Sequence, residues 1–544
     1  MECMKKILIL VISIQASFVC VAQSCQDTLS RIEHIFSRYK PDNPGCQLAI
    51  SRNGQIIFTK AWGMADLEHK VPLTTESIIE AGSVSKQFTA ACILLLEQQG
   101  KLSLNDDVHK YIPELPDYGV PILLRNMMHH TSGLKDWENI VELAGSPEGS
   151  KVFENEDVLY ILSKQKTLNH KPGAEFLYSN SNYVLFAIII ERVSGMELSE
   201  FSRKYIFEPA GMKHTLWRNH FREIVPNRAI AYGFNGQFYF TTMPNENVYG
   251  NGGLLTTAED LLAWNNFYLS GKLGTPSLLS RQIASDSLNN GSMGNYAAGL
   301  FVSTSRGWKT ISHGGSTAAY RCDLSYFPDF GLSFAWISNT AQFDREIEGI
   351  VDTVHGIFIK NIHVAEPEKK TKPHNPSPEN LSAIAGWYRN TNSNQAIRLL
   401  VKDRKLTSPD NKPLIPISEN IFVMEDGGKL KFWPSGRKGL LSIYPDGETF
   451  FAAVDSAQLT TERMRDYVGE YYSEEAETKF SVFIKDGKLV LHQNPNNDEM
   501  LEATYNDGFT YWQGTVYFQR DKQNTITGMK ISLPRARNVD FRKL

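Results

Sequence analysis

Three short groups of residues carry side chains whose chemistries fit one another. In Ser83-Val84-Ser85-Lys86 an amine follows a hydroxyl by three residues. At helical spacing the two share a face, so a lysine whose pKa is lowered by burial can take the proton of a serine otherwise too weak to attack a carbonyl. Tyr178-Ser179-Asn180 supplies a phenol able to shuttle a proton and an amide able to bind a carbonyl or a lysine. His313-Gly314-Gly315-Ser316 supplies a histidine and glycines whose backbone can lie against a ligand, with N–H groups aimed at a developing oxyanion. None is decisive alone. Ser-x-x-Lys recurs at Ser37, Ser132, Ser163 and Ser435, Tyr249-Gly250-Asn251 repeats the Tyr-x-Asn spacing, and a histidine beside glycines is commonly structural.

The flanking pattern separates Ser83 from its duplicates. It follows Glu80-Ala81-Gly82 and opens an apolar helix over 86–99 (KQFTAACILLLEQQ), stopped by Gly100, whose dipole favours an alkoxide-like charge at that end. A second apolar helix spans 182–193, directly after Asn180, and is closed by Gly195. Segments 47–50 and 55–59 flank Arg52-Asn53-Gly54, a hairpin signal, and 324–327 and 332–338 pair across Pro328-Asp329-Phe330-Gly331. Strands at both ends with helices between predict an α+β domain whose sheet joins the two ends of the segment.

Taken in order, Ser-x-x-Lys, Tyr-x-Asn and His-x-Gly resemble the serine-dependent penicillin-recognising hydrolases: class C β-lactamases, DD-peptidases, D-aminopeptidases and related esterases. His130-Thr131-Ser132-Gly133-Leu134 and the run from Gly252 to Leu261 (GGLLTTAEDL) are similar to further motifs of that family, so the resemblance covers about residues 30–360. It implies a β-lactamase-like fold, an antiparallel sheet with helices, and a set of roles. Ser83 would form an acyl-enzyme, Lys86 and Tyr178 would share general-base and proton-relay work, and Asn180 would orient the substrate amide and Lys86. The backbone N–H groups of Ser83 and Ser316, beside Gly315, would form the oxyanion hole. His129, His130 and Ser132 would be structural.

His313 stands where many members have lysine, and would help to protonate the leaving group or bind substrate. A histidine, mostly neutral above about pH 6.5, holds a β-lactam carboxylate less well than lysine. Efficient β-lactam hydrolysis is therefore not expected, and His-x-Gly is similar to D-aminopeptidase and esterase-like members. Ala318-Ala319-Tyr320 also departs from a glycine-bearing pattern, which predicts a narrower mouth.

Beyond this region the composition breaks. Residues 365–380 (AEPEKKTKPHNPSPEN) have four prolines and little to bury, which marks a linker. After it the sequence repeats: Ala385-Gly386-Trp387-Tyr388 aligns with Val468-Gly469-Glu470-Tyr471, and the run from Val401 to Leu406 aligns with the run from Ile484 to Leu489 at the same offset. Two all-β units follow, 381–455 and 463–544, as two small barrels or two halves of one larger barrel. Trp387, Trp433 and Trp512 are expected in their cores. A catalytic domain (26–364) with such repeats resembles D-aminopeptidases and lipocalin-tailed peptidases, whose barrels can bring a loop to the active-site entrance; a passive docking module is the alternative.

The chain of 544 residues is 42% apolar, with 56 Lys+Arg against 60 Asp+Glu, which excludes a largely disordered chain and gives no field for nucleic acid. Residues 1–22 read as a signal peptide: Lys5 and Lys6, then an apolar stretch too short to span a bilayer, then small residues. That predicts export, periplasmic or secreted, with no membrane span after signal removal. Lipidation at Cys25 is the weaker alternative, because Ala22-Gln23-Ser24 matches a lipidation signal poorly. The cysteines form no CxxC pair, so no metal site is expected, and no organic cofactor is called for. A Cys25–Cys46 bridge and buried free thiols both remain open. The expected activity is an exported serine hydrolase cleaving the amide of a small peptide, with D-residues as in cell-wall material. A carboxylesterase on small esters, or a catalytically poor penicillin-sensing or wall-binding module, is the alternative.

Overall fold

The computed structural model describes residues 27–146, 151–360, 374–433, 439–444, 447–493, 497–511 and 514–544. The signal-peptide segment, Cys25, Trp512 and most of the proposed linker lie outside these residues. Strands β1 (Cys46–Arg52), β2 (Gln55–Trp62), β3 (Phe301–Ser305), β4 (Trp308–Thr317), β5 (Tyr320–Phe327) and β6 (Leu332–Ser338) form one antiparallel sheet in the order β3-β4-β5-β6-β1-β2. β1 pairs with β6 from Cys46↔Ser338 to Arg52↔Leu332, so the sheet does join the two ends of the segment. Asn53 and Gly54 both adopt left-handed φ, 51° and 78°, which the tight two-residue hairpin requires.

The central strands β1 and β6 are buried on both faces, which explains their near-continuous apolar sequence. On one face Leu48, Ile50, Phe334 and Trp336 pack on Ile350 and Val354 of the C-terminal helix Ile347–Phe358. On the other lies the main core, built around α1 (Lys86–Gln98) and α3 (Ser181–Ser194), with α2 (Trp137–Leu143) at its edge. Phe88, Ile93, Val184 and Ile189 are fully buried. Each such side chain contributes about 1.5–3 kcal/mol, so both helices that carry site residues are anchored along their length.

The C-terminal region forms two separate sheets, an eight-stranded half-barrel and a nine-stranded, nearly closed barrel, rather than halves of one. The repeat is visible in atomic detail. Tyr388 donates to the carbonyl of Ile384 (2.6 Å) and Tyr471 to that of Tyr467 (2.7 Å), the same bond at the sequence offset of the repeat. Trp433 departs from expectation: it is 42% exposed, its ring against the edge of Phe450. Trp387 is half-buried. Cys46, Cys92 and Cys322 are buried free thiols among the described residues; the proposed Cys25–Cys46 bridge falls on Cys25, outside them.

The second barrel is fused to the catalytic domain. Ile140 and Leu143 of α2 belong to its apolar core, and Lys135 forms a fully buried ion pair with Glu475 at 3.1 Å. Its last hairpin, β7 (Ile526–Leu533) and β8 (Ala536–Lys543), turns through Pro534-Arg535 against α2.

Candidate active site

Ser83 lies in a tight turn, Gly82–Ser85, that leads straight into α1. Ser85 fixes the turn by donating to the carbonyl of Gly82 (2.5 Å) and accepting from the Leu254 N–H (3.2 Å). Lys86, the first residue of α1, is fully buried beneath the half-exposed serine. Its Nζ lies 3.0 Å from Ser83 Oγ and donates to the carbonyl of Asn251 at 2.6 Å. Burial lowers its pKa to about 7; the carboxylates of Glu138 and Asp136 oppose the shift and Arg535 reinforces it.

Tyr178 closes one side, its ring centre 4.9 Å from Lys86 Nζ. Burial holds the phenol well above its ordinary pKa, with the Ser83 hydroxyl and Arg535 as smaller opposing influences, so it is neutral at physiological pH. Its hydroxyl stands beside Ser83 without a formed hydrogen bond. Behind it stacks His130, ring centres 4.1 Å apart, whose Nδ1 accepts from the Ser179 N–H at 3.1 Å. Ser132 donates to Asn182 (2.7 Å), and His129 to the carbonyl of Tyr296 (2.9 Å). This segment thus holds Tyr178 and α3 in place.

His313 is 3% exposed and both ring nitrogens are engaged, Nε2 with the Tyr296 hydroxyl (3.0 Å) and Nδ1 with the carbonyl of Gly314 (2.6 Å). Burial, helped by the positive charge of Lys86, pushes its pKa down to about 3. A neutral ring with both nitrogens occupied has no proton free for a leaving group, which differs from the sequence expectation.

Two glycines bring the end of β4 against the Ser83 turn. A Cβ on Gly82, whose φ is +51°, would lie 2.6 Å from the Ser316 nitrogen, and one on Gly315 would lie 2.0 Å from the Ala81 carbonyl oxygen. The backbones that carry Ser83 and Ser316 are therefore in close contact, as a pair of oxyanion donors drawn from these two segments requires.

Asn180 differs from expectation. Its backbone N–H donates to Asp136 (2.7 Å), but no hydrogen bond joins its side chain to Lys86, and its buried Oδ1 has no partner among the described residues. Lys86 is held instead by Asn251, from the second Tyr-x-Asn. Gly250 makes that approach possible: its φ is +104°, and a Cβ there would lie 2.7 Å from the Tyr183 carbonyl oxygen. The buried polar atoms Tyr178 Oη, Asn180 Oδ1 and Asn251 Oδ1, all without protein partners, belong to residues lining one cleft. Such groups are ready for a polar substrate.

The cleft has a volume of about 1270 Å³ and adjoins another of about 490 Å³ across Glu138, Glu246 and Ser316. Asp136 caps α2, accepting from the Glu138 N–H (3.1 Å), while its own N–H donates to the Arg535 carbonyl (3.0 Å). Glu138 is open to the water of the cleft, and the surrounding walls with Asp136 and Glu246 push its carboxyl up. Arg535 reaches in from the second barrel, its guanidinium carbon 5.0 Å from the Tyr178 ring centre. Sequence reading missed Asn251, Glu138, Tyr296 and Arg535. A repeated motif pointed to Asn251; Arg535, alone in a two-residue turn, had no local signal.

The chain is similar to several known proteins. A D-aminopeptidase of Brucella anthropi is 25% identical over 92% of this chain and 95% of its own length. A penicillin-binding protein of Bacillus subtilis is 30% identical over 55% of this chain and 68% of its own length. The structure of a penicillin-binding protein homologue from Pyrococcus abyssi superposes with a TM-score of 0.54 at 21% identity, covering 87% of this chain and 98% of that one. The family model described as beta-lactamase matches residues 32–353, and the chain belongs to that family of serine hydrolases.

Proposed function

We propose that this chain is an exported serine hydrolase that cleaves an amide bond of a small peptide, one bearing D-residues, through an acyl-enzyme on Ser83. The observation that carries the reading is the 3.0 Å approach of Lys86 Nζ to Ser83 Oγ at a buried position that lowers the amine to about pKa 7. A neutral Lys86 takes the Ser83 proton as Oγ attacks the substrate carbonyl. The oxyanion is received by the N–H groups of Ser83 and Ser316. Tyr178, protonated at physiological pH, gives its proton to the leaving nitrogen and is reprotonated from Lys86. Water then attacks the ester along the same relay in reverse. Lys86 is thus the base and Tyr178 the acid, while His313 acts as a neutral prop for Tyr296 and the end of β4. The D-preference is supported by the length over which the D-aminopeptidase aligns, and export by the pattern of residues 1–22.

The test is a panel of D- and L-aminoacyl amides, D-containing dipeptides, p-nitrophenyl esters and nitrocefin, run on the purified protein and on Ser83→Ala. Turnover of D-configured amides that vanishes in Ser83→Ala is expected. Turnover of esters alone would replace the reading with a carboxylesterase, and no turnover of any would make the protein a binder.

A further inference from the structure

Arg535 is built into the cleft with its side-chain donors unengaged, its charge acting only at a distance on Asp136, Glu138, Lys86 and Tyr178. Its backbone is clamped to the catalytic domain: its N–H donates to Asn139 Oδ1 (2.9 Å), and its carbonyl accepts from the Asp136 N–H (3.0 Å) and Asn169 Nδ2 (2.9 Å). The turn is therefore fixed before any ligand arrives. The guanidinium, half-buried above the Tyr178 ring, makes no hydrogen bond or ion pair with any described residue. The other arginines nearby are spoken for: Arg537 is paired with Glu175 (2.9 Å), and Arg321, which also lines the cleft, with Asp344. Lys86 is buried and committed to Ser83 and Asn251, and His313 is neutral. Among the described residues lining the cleft, Arg535 is thus the cation with free donors.

We propose that Arg535 is a specificity-determining residue that binds a free carboxylate on the leaving amino acid, so that the preferred substrate is a peptide cleaved next to its C-terminal residue. A guanidinium presents paired donors that match a carboxylate. Its position selects the leaving side. Tyr178 hands its proton to the leaving nitrogen, so a group stacked on the same ring lies beside the atoms that follow that nitrogen, where an α-carboxylate stands. This assignment rests on the acyl-enzyme reading above. It also gives the second barrel a part in substrate choice, through one side chain.

The experiment compares D-alanyl-D-alanine with D-alanyl-D-alaninamide, identical but for the terminal charge. Calorimetry on full-length Ser83→Ala should show the free acid binding about 10–100-fold more tightly. Adding Arg535→Ala should erase that ratio, Arg535→Lys should keep part of it, and Arg535→Glu should reverse it. Thermal melting identifies any variant that has not folded, and the ratio in Ser83→Ala alone still decides the matter. Equal affinities, tighter binding of the amide, no binding of either, or a ratio that survives Arg535→Ala would each overturn the assignment. Turnover by the wild type separates this from the hydrolase reading. Equal kcat/KM for both dipeptides defeats the role of Arg535 only, whereas tight binding of the acid without hydrolysis of either defeats the hydrolase reading only.

Discussion

Acylation should switch on as the pH rises through about 7, and two substitutions should move that switch in opposite directions. Lys86 must be neutral to take the Ser83 proton, and its pKa of about 7 leaves about 1% of it neutral at pH 5. The kcat/KM for an uncharged amide should therefore fall about tenfold per unit below pH 7. Lys86 Nζ and the Arg535 guanidinium lie 4.9 and 5.0 Å from the centre of the same Tyr178 ring, and so stand no more than about 10 Å apart. At about 10 Å a unit charge is worth about 0.4–1.7 kcal/mol for an effective dielectric between 80 and 20. That corresponds to about 0.3–1.2 pKa units. Arg535 disfavours the ammonium, so Arg535→Ala should raise the acid limb by that amount. Glu138 favours it to the extent that its raised carboxyl, open to the cleft, is ionised, so Glu138→Gln should lower the limb. Initial rates of N-acetyl-D-alanine p-nitroanilide hydrolysis, an amide with no titrating group of its own in this range, from pH 5 to 9 in constant-ionic-strength buffer provide the readout. A flat profile down to pH 5, or two shifts of the same sign, would refute the base assignment.

Other substitutions test other parts of the site. Tyr178→Phe removes the proton donor and should lower kcat by about 10²–10⁴ for amides, with a smaller loss for p-nitrophenyl esters, whose leaving group needs no proton; equal losses would argue against the relay. Gly315→Ala places a Cβ 2.0 Å from the Ala81 oxygen and should cut kcat at least about 100-fold by parting the two oxyanion donors, measured beside thermal melting to confirm folding. Glu475→Gln leaves the Lys135 charge buried without its partner and should destabilise the fold by about 3 kcal/mol, seen as a lower Tm; an unchanged Tm would contradict the fused arrangement of barrel and catalytic domain.

The parts of this molecule legible in sequence are those fixed by local chemistry. The Asn53-Gly54 turn, the glycine stops at Gly100 and Gly195, and the repeated tyrosines Tyr388 and Tyr471 all follow from conformational or packing needs that neighbouring residues reveal. Ser83 and Lys86 are readable because they are three residues apart on one turn. What escapes is long-range. Asn251 reaches Lys86 through a backbone carbonyl, for which its side-chain identity is irrelevant, across 165 positions. Arg535 reaches the cleft because α2 lends Ile140 and Leu143 to the core of a barrel that begins more than 300 residues downstream. The same fusion makes truncation near Pro376 a poor test of the barrels' role, since it would bare those side chains and strand Lys135. His313 is readable as a neutral residue but not as a fully engaged one, because its partner Tyr296 lies in a segment without a motif.

If Ser83 becomes covalently acylated with Lys86 as its base, the serine is the site of covalent labelling and the lysine sets its rate. The most direct measurement is to react the full-length protein with a fluorophosphonate probe, digest it, and locate the adduct by tandem mass spectrometry, in the wild type, Ser83→Ala and Lys86→Ala. A single adduct is expected on the peptide carrying Ser83, absent in Ser83→Ala and formed at least about 100-fold more slowly in Lys86→Ala. Undiminished labelling in Ser83→Ala, or an adduct on another serine, would contradict this assignment.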